Sequence, residues 1–238
     1  MNFFKKDSVF DGAMGTMLLA AGLPTGMRTE RANVAMSTAV EKIHRAFAES
    51  GADYITANTF GANAAAESDF ADLIAAGIRL AKKTKRPVGL DVGPIGVSAK
   101  TADFDTLYAL FRKSIEAGAA AGADFIIIET MTNLVELRAA LLAAKEHSRL
   151  PVAATMSFER SGRTVYGVRP DSFACIATAL GADAVGANCS TGPADMAVCA
   201  ADMLRATKLP IIMQPNAGLP IIRDGVAFYD MTPDAFRE

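Results

Sequence analysis

The sequence offers little for cross-linking, charge-driven binding or membrane insertion. It holds three cysteines, Cys175, Cys189 and Cys199. They are odd in number and spaced unlike a zinc finger, so neither a disulfide scaffold nor a finger is encoded. Neither sign of charge dominates: 24 Lys and Arg stand against 26 Asp and Glu, a formal charge of −2. No basic stripe gathers the positives, which argues against a nucleic-acid partner. Long apolar runs are missing too. The longest, such as DFIIIET at 124–130, have the length of a strand, so no membrane partner is expected. The opening MNFFKKDSVF lacks the apolar core and cleavage site of a signal peptide, and the cytoplasm is the expected location. The two histidines, His44 and His147, fall on predicted helices, leaving no base for Cys-His hydrolase chemistry. No G-x-G-x-x-G follows the first apolar run, which weakens a dinucleotide reading. No lysine ends a predicted strand, which counts against an aldolase.

What is present is a rhythm. The chain is 51% hydrophobic, enough for a large core. Short apolar runs begin near Val9, Tyr54, Val88, Phe125, Val152, Ala184 and Ile211, and turn-forming segments such as AGAD, LGAD and KLP introduce the later ones. The runs are continuous and not alternating, as in strands covered on both faces. Between them lie one-sided helical stripes: Val40, Ile43 and Phe47; Phe70, Leu73, Ile74 and Ile78; Leu107, Leu110, Phe111 and Ile115; Leu134, Leu137 and Leu141. PADMAVCAADMLRA at 193–206 opens on a proline suited to a first helical turn. Strand–helix repeats of this kind predict parallel strands in an α/β fold. Seven similar units favour a (β/α)8 TIM barrel over a doubly wound sheet. An eighth strand is not visible, so residues 1–238 are expected to form one barrel domain truncated before its last unit.

In such barrels chemistry gathers at the C-terminal strand ends. Asp11 follows the first strand, where a carboxylate could bind an amine or shape the DG turn. Asn58, Thr59 and Asn63 end the second, where they could bind a small polar ligand or satisfy their own loop. Asp91 ends the third. Glu129 ends the fourth directly after three isoleucines, an expensive place for a carboxylate unless it is solvated, paired or used. Ser157 and Phe158 end the fifth, before a polar loop whose Arg160, Arg163 and Arg169 could anchor an anion or simply be solvated. Cys189 closes the sixth among Asn188, Ser190, Thr191 and Gly192, a polar setting that favours a metal ligand or nucleophile over core filling. Cys175 and Cys199 fall inside predicted helices and read as packing. Gln214 and Asn216 end the seventh.

Six motifs in order, DGAMGT (11–16), ANTFGAN (57–63), DVGPIG (91–96), IIIET (126–130), GANCS (186–190) and QPNAG (214–218), resemble the homocysteine S-methyltransferase family. The match is nearest to the N-terminal barrel of its cobalamin-dependent methionine synthase branch. The resemblance implies a (β/α)8 barrel that methylates the thiol of homocysteine, giving methionine. It implies a zinc ion held by three thiolates, with Cys189 as one of them. It places Asp11 and Glu129 near the amino end of homocysteine, and Asn58 and Asn188 on the pocket rim, with Thr59 and Ser157 as further substrate-binding positions. Methyl-cobalamin on a separate corrinoid module is the implied donor, and a betaine or S-methylmethionine the alternative. A zinc ion with an open position would take the substrate sulfur as its fourth ligand and hold it deprotonated.

The chain departs from the family at one place. The adjacent cysteine pair in a Gly-Gly-Cys-Cys segment is absent, so one of three zinc ligands is present. The expectation is therefore a piece of a fuller enzyme without a complete zinc site. Its rivals are a diverged zinc-free barrel and an assembly partner of a corrinoid protein that does no homocysteine chemistry.

Overall fold

The computed structural model describes residues 3–96, 103–218, 221–223, 226–229 and 231–237. After a short helix α1 (Met14–Ala20) and the single turn α2 (Ala32–Ala35), units alternate: α3 (Ser37–Glu49), β1 (Ile55–Thr56), α4 (Phe70–Ala81), β2 (Val88–Val92), α5 (Phe104–Ala120), β3 (Phe125–Met131), α6 (Leu134–His147), β4 (Val152–Met156), α7 (Pro170–Ala179), β5 (Ala184–Asn188), α8 (Pro193–Ala206) and β6 (Ile211–Gln214). A hairpin of β7 (Ile221–Arg223) and β8 (Val226–Phe228) and a final turn of helix, α9 (Pro233–Arg237), follow.

The six main strands form one parallel sheet in sequence order, β1 to β6. It is a curled, open sheet, an incomplete barrel. The sequence predicts seven strands and six form the sheet: the first, near Val9, is reduced to one parallel bridge, Phe10 to Tyr54, and β1 is only two residues long. Polar side chains supplement a few main-chain rungs here, among them the Asp11 N–H to the Tyr54 carbonyl and the Asp53 N–H to the Val9 carbonyl. The Val9 N–H donates to the Asp53 carboxylate, and the Thr56 N–H to Asp11 Oδ2 at 2.9 Å. One strand further, the Thr59 hydroxyl donates to the Asp91 carbonyl and accepts from the Asp91 N–H.

Strand alternation sorts the core into two layers. Leu90, Ile126, Ile128, Ala154 and Val185 face outward and pack on the helices. Phe125, Ile127, Ala153, Ala184 and Ile212 face inward with Phe4 and Tyr54, closing the barrel floor with Phe3 and Phe10. The floor is aromatic, with Phe125 edge-on to Phe4, Phe10 and Tyr54 at 5.6–6.0 Å between ring centres. Burying a ring such as Phe125 stabilises by about 2–3 kcal/mol. Gly89 makes room for it: a Cβ there would lie 2.4 Å from the Phe125 ring.

The outer helices match the predicted stripes, and two have side-chain N-caps: Asp103 accepts from the Thr106 N–H, and Asn133 from the Val135 N–H. The hairpin before α9 is an element that the sequence reading does not include. The Asp224-Gly225 pair between two short apolar runs is a hairpin signal that the barrel rhythm obscures. Among the described residues no helix is long and apolar enough to cross a membrane.

Candidate active site

A cavity of about 1450 Å³ opens at the C-terminal strand ends and runs down the open side of the sheet, between the Phe10 segment and β6. Asp11, Asn58, Asp91, Glu129, Asn188 and Cys189 all line it. Thr59 and Ser157 stand behind the wall, with their hydroxyls engaged. Thr59 joins β1 to β2 as described, and Ser157 donates to the Asn188 carbonyl and shares a 2.7 Å hydrogen bond with Ser190. Arg160, Arg163 and Arg169 are not at the cavity. Arg169 pairs with Asp171, Arg163 donates to the Gly167 carbonyl, and Arg160 sits 3.7 Å from Asp195.

Cys189 is placed by backbone geometry. It and Ser190 follow β5 in the left-handed region, at φ 60° and 63°, as does Thr130 within β3, at φ 59°. Non-glycine residues rarely adopt this conformation, and it turns the chain sharply at the strand end. The Cys189 N–H is anchored on the Gln214 carbonyl at 3.1 Å. Asn188 fixes the neighbours. Its Oδ1 accepts from the Thr130 N–H and the Thr155 hydroxyl, while its Nδ2 donates to Thr130 Oγ1 and to Cys189 Sγ at 3.4 Å. One amide thus ties β3, β4 and β5 together beneath the thiol. Asn58 has the same character. Its Nδ2 donates to the Thr29 carbonyl and to Asn33 Oδ1.

The electrostatics are one-sided. Burial pushes the Asp11 carboxyl up to about 7, against the pull of the Thr56 N–H. Burial and the Asp11 charge raise Glu129 to about 7. Asp91 is raised well above the usual carboxylate range by burial, then by Glu129, Asp11, Glu30 and Cys189. Burial and Glu129 also push the Cys189 thiol up, partly offset by Thr130 and Asn188. Asp11 and Glu129 lie deep in the protein yet still face the cavity, which is why both are strongly shifted without being sealed off. The cavity's lysines, Lys5, Lys6 and Lys208, belong to its lower end, near the strand starts. A site with this bias attracts a cation and repels an anion.

The donor set does not fit a three-thiolate zinc ion. Cys189 is the one thiol at the cavity, since Cys175 is exposed on α7 and Cys199 is buried in α8. Among the described residues no group of three or more His, Cys, Asp or Glu is placed to hold a metal.

Sequence reasoning missed Glu30 and its neighbourhood. Glu30 is buried, accepts the Gly61 N–H at 2.7 Å and pairs with Arg28, which donates to the Gly61 carbonyl. This clamp holds the loop bearing Asn58 and Phe60. A charged TER segment outside any apolar period gives no signal of burial.

The model of the homocysteine S-methyltransferase family matches residues 8–238. The chain belongs to that family. Its relatives include the methionine synthase of Mycobacterium tuberculosis, 32% identical over 258 aligned residues, which cover 97% of this chain and 22% of that protein. The methionine synthase of Mycobacterium leprae is 31% identical, covering 97% and 21%. This member of the family thus spans about a fifth of the length of those two proteins. Its fold is like that of the homocysteine methyltransferase MmuM of Escherichia coli. The metallated form superposes with a TM-score of 0.81 at 22% identity, over 90% of this chain and 85% of that one. The apo form gives 0.76, over 89% and 83%.

Proposed function

We propose that this barrel binds homocysteine and presents its thiol for methylation, as the substrate domain of a homocysteine S-methyltransferase. The observation that carries this reading is the convergence of two half-buried carboxylates, Asp11 and Glu129, and one thiol, Cys189, on a single cavity at the strand ends. The carboxylates hold the α-ammonium group, whose positive charge relieves their mutual repulsion and favours their ionised forms. That anchors the amino acid at one end and leaves its sulfur free to reach the Cys189 side. Asn58 and Asn188 act as positioning residues, because their amide groups already brace the strand ends. The family membership points the same way.

Methylation requires the thiol to lose its proton and the sulfur to form a bond to the methyl carbon as the bond from that carbon to its carrier breaks, the carrier leaving with the electron pair. We propose methyl-cobalamin on a separate corrinoid module as that carrier, on the strength of the motif resemblance. Zinc, when bound in a member of this family, supplies thiolate stabilisation; Cys189 is the one residue here suited to hold it, and no step is assigned to a metal in this chain.

Calorimetric titration with homocysteine tests the reading. Saturable binding is expected, weakened at least about tenfold by Glu129→Gln, the scale of losing a charge-assisted hydrogen bond. Absence of binding at millimolar homocysteine would sink it. Zinc content measured on the same sample should fall well below one per chain, and full occupancy abolished by Cys189→Ser would show a site completed by donors other than those described.

A further inference from the structure

Asp91 takes no part in the reading above. It is 9% exposed, and its Oδ1 has no hydrogen-bond partner. Its backbone is fully engaged by Thr59, so nothing in the strand needs the carboxylate. An unpaired buried carboxylate oxygen costs stability unless something else completes it. On β6, at the far wall of the same cavity, Gln214 Oε1 is likewise buried and unpaired. Both atoms are acceptors, so the missing partner is a donor.

Register places the donor's position. Asp91 is the β2 partner of Ile127, and Glu129 lies two residues on, on the same inward face of β3. Asp11 reaches the cavity from the other side of β1, through its bond to Thr56. The three carboxylates are not grouped closely enough to hold a metal ion. Hydrogen bonds of about 2.8–3.2 Å reach further than metal–oxygen bonds of about 2.0–2.2 Å, so a multi-donor cation can link acceptors that a bare metal cannot.

We propose that Asp91 is a binding residue for the ligand's ammonium group, the acceptor for its third N–H, and that it makes the pocket select a primary amine. This rests on the proposed amino-acid reading and adds a residue and a specificity to it. A primary ammonium carries three N–H donors. Asp11 and Glu129 receive two, and Asp91 Oδ1 receives the last. A ligand without the amine leaves all three carboxylates facing one another uncompensated.

The test is a cycle that crosses the ligand's amine with the Asp91 carboxylate. Homocysteine and its deamino counterpart, 4-sulfanylbutanoate, are titrated calorimetrically into the protein and into Asp91→Asn and Asp91→Ser. The native protein should prefer homocysteine by at least about thirtyfold, and both variants should shrink that preference at least about fivefold. Two variants guard against an asparagine amide that finds its own partner in Glu129. An unchanged preference in folded variants overturns the assignment of Asp91 and leaves the homocysteine reading standing. If homocysteine fails to bind but serine or cysteine binds with an Asp91-dependent preference over its deamino form, Asp91 stands and the homocysteine reading falls. If neither thiol nor any of these amino acids binds, both are overturned.

Discussion

The wall from β2 to β5 and the open side between Phe10 and β6 are built from the same kind of strand, yet they are finished differently. Every residue of β2, β4 and β5 is buried, with helices on one face and the aromatic floor on the other. On β6 only Ile212 is buried, and β1 is two residues long. The body of the wall is filled with Val, Ile and Ala, and its polar residues Asp91, Glu129 and Asn188 gather at the C-terminal strand ends, where they face the cavity. On the open side, the Asp11 and Asp53 carboxylates and the Thr59 hydroxyl supplement a sparse set of main-chain rungs. Stability is concentrated in the body of the wall, and recognition at its C-terminal strand ends and along the open side.

The largest effect that would sharpen this contrast is truncation of the floor. Phe125→Ala should cost about 3–5 kcal/mol, whereas Ile211→Ala on the half-buried β6 should cost under about 2 kcal/mol. Urea unfolding measures both, and equal losses would erase the distinction.

Acid provides a second contrast, because two buried regions titrate with opposite sign. His44 on α3 is buried, its ring nitrogens have no hydrogen-bond partners, and burial lowers its pKa to about 4. Between pH 6.5 and 4 the unfolded chain takes up that proton and the folded chain does not. Stability is therefore full above about 6.5 and falls as pH drops, by about 3 kcal/mol. Asp11 and Glu129 run the other way. Their folded values near 7 mean the folded chain keeps protons that the unfolded chain has already lost, so stability falls as pH rises from about 4 to 7. Thermal melts across this range should show His44→Leu removing the acid-side loss and Asp11→Asn reducing the loss towards neutrality. Parallel pH profiles for the two variants would contradict this assignment.

The smallest effect concerns the thiols. At pH 7 iodoacetamide should modify the exposed Cys175 before Cys189, whose thiol is held protonated by burial and Glu129. Glu129→Gln should speed the reaction at Cys189 by about threefold to tenfold, read by peptide mass mapping. No change would remove Glu129 from the thiol's surroundings.

The wall was the legible part of the sequence. Runs such as Val88–Val92 and Phe125–Met131 are continuous, flanked by turns and separated by one-sided helices, so local pattern and tertiary role agree. The first strand was less legible because its pairing is one bridge supplemented by the Asp53 and Asp11 carboxylates, and a side-chain rung leaves no apolar trace. Asp11, Glu129 and Cys189 stood out as polar residues ending apolar runs, and they do share one cavity. That Thr59 and Ser157 turn away from it depends on hydrogen bonds to segments about 30 residues distant. Glu30 depends on such a bond too, and no periodicity encodes it.

The order of the strands in space is the order of the strands in the chain. During synthesis, each strand of the wall therefore leaves the ribosome when the neighbour it must pair with has already been made. Growth can proceed by addition, one strand and one covering helix at a time, with short loops to close at every step. The aromatic floor works in the same direction. Phe3, Phe4 and Phe10 are available before any strand of the wall, so a nascent chain carries the material that covers the inner face of β3 before β3 exists.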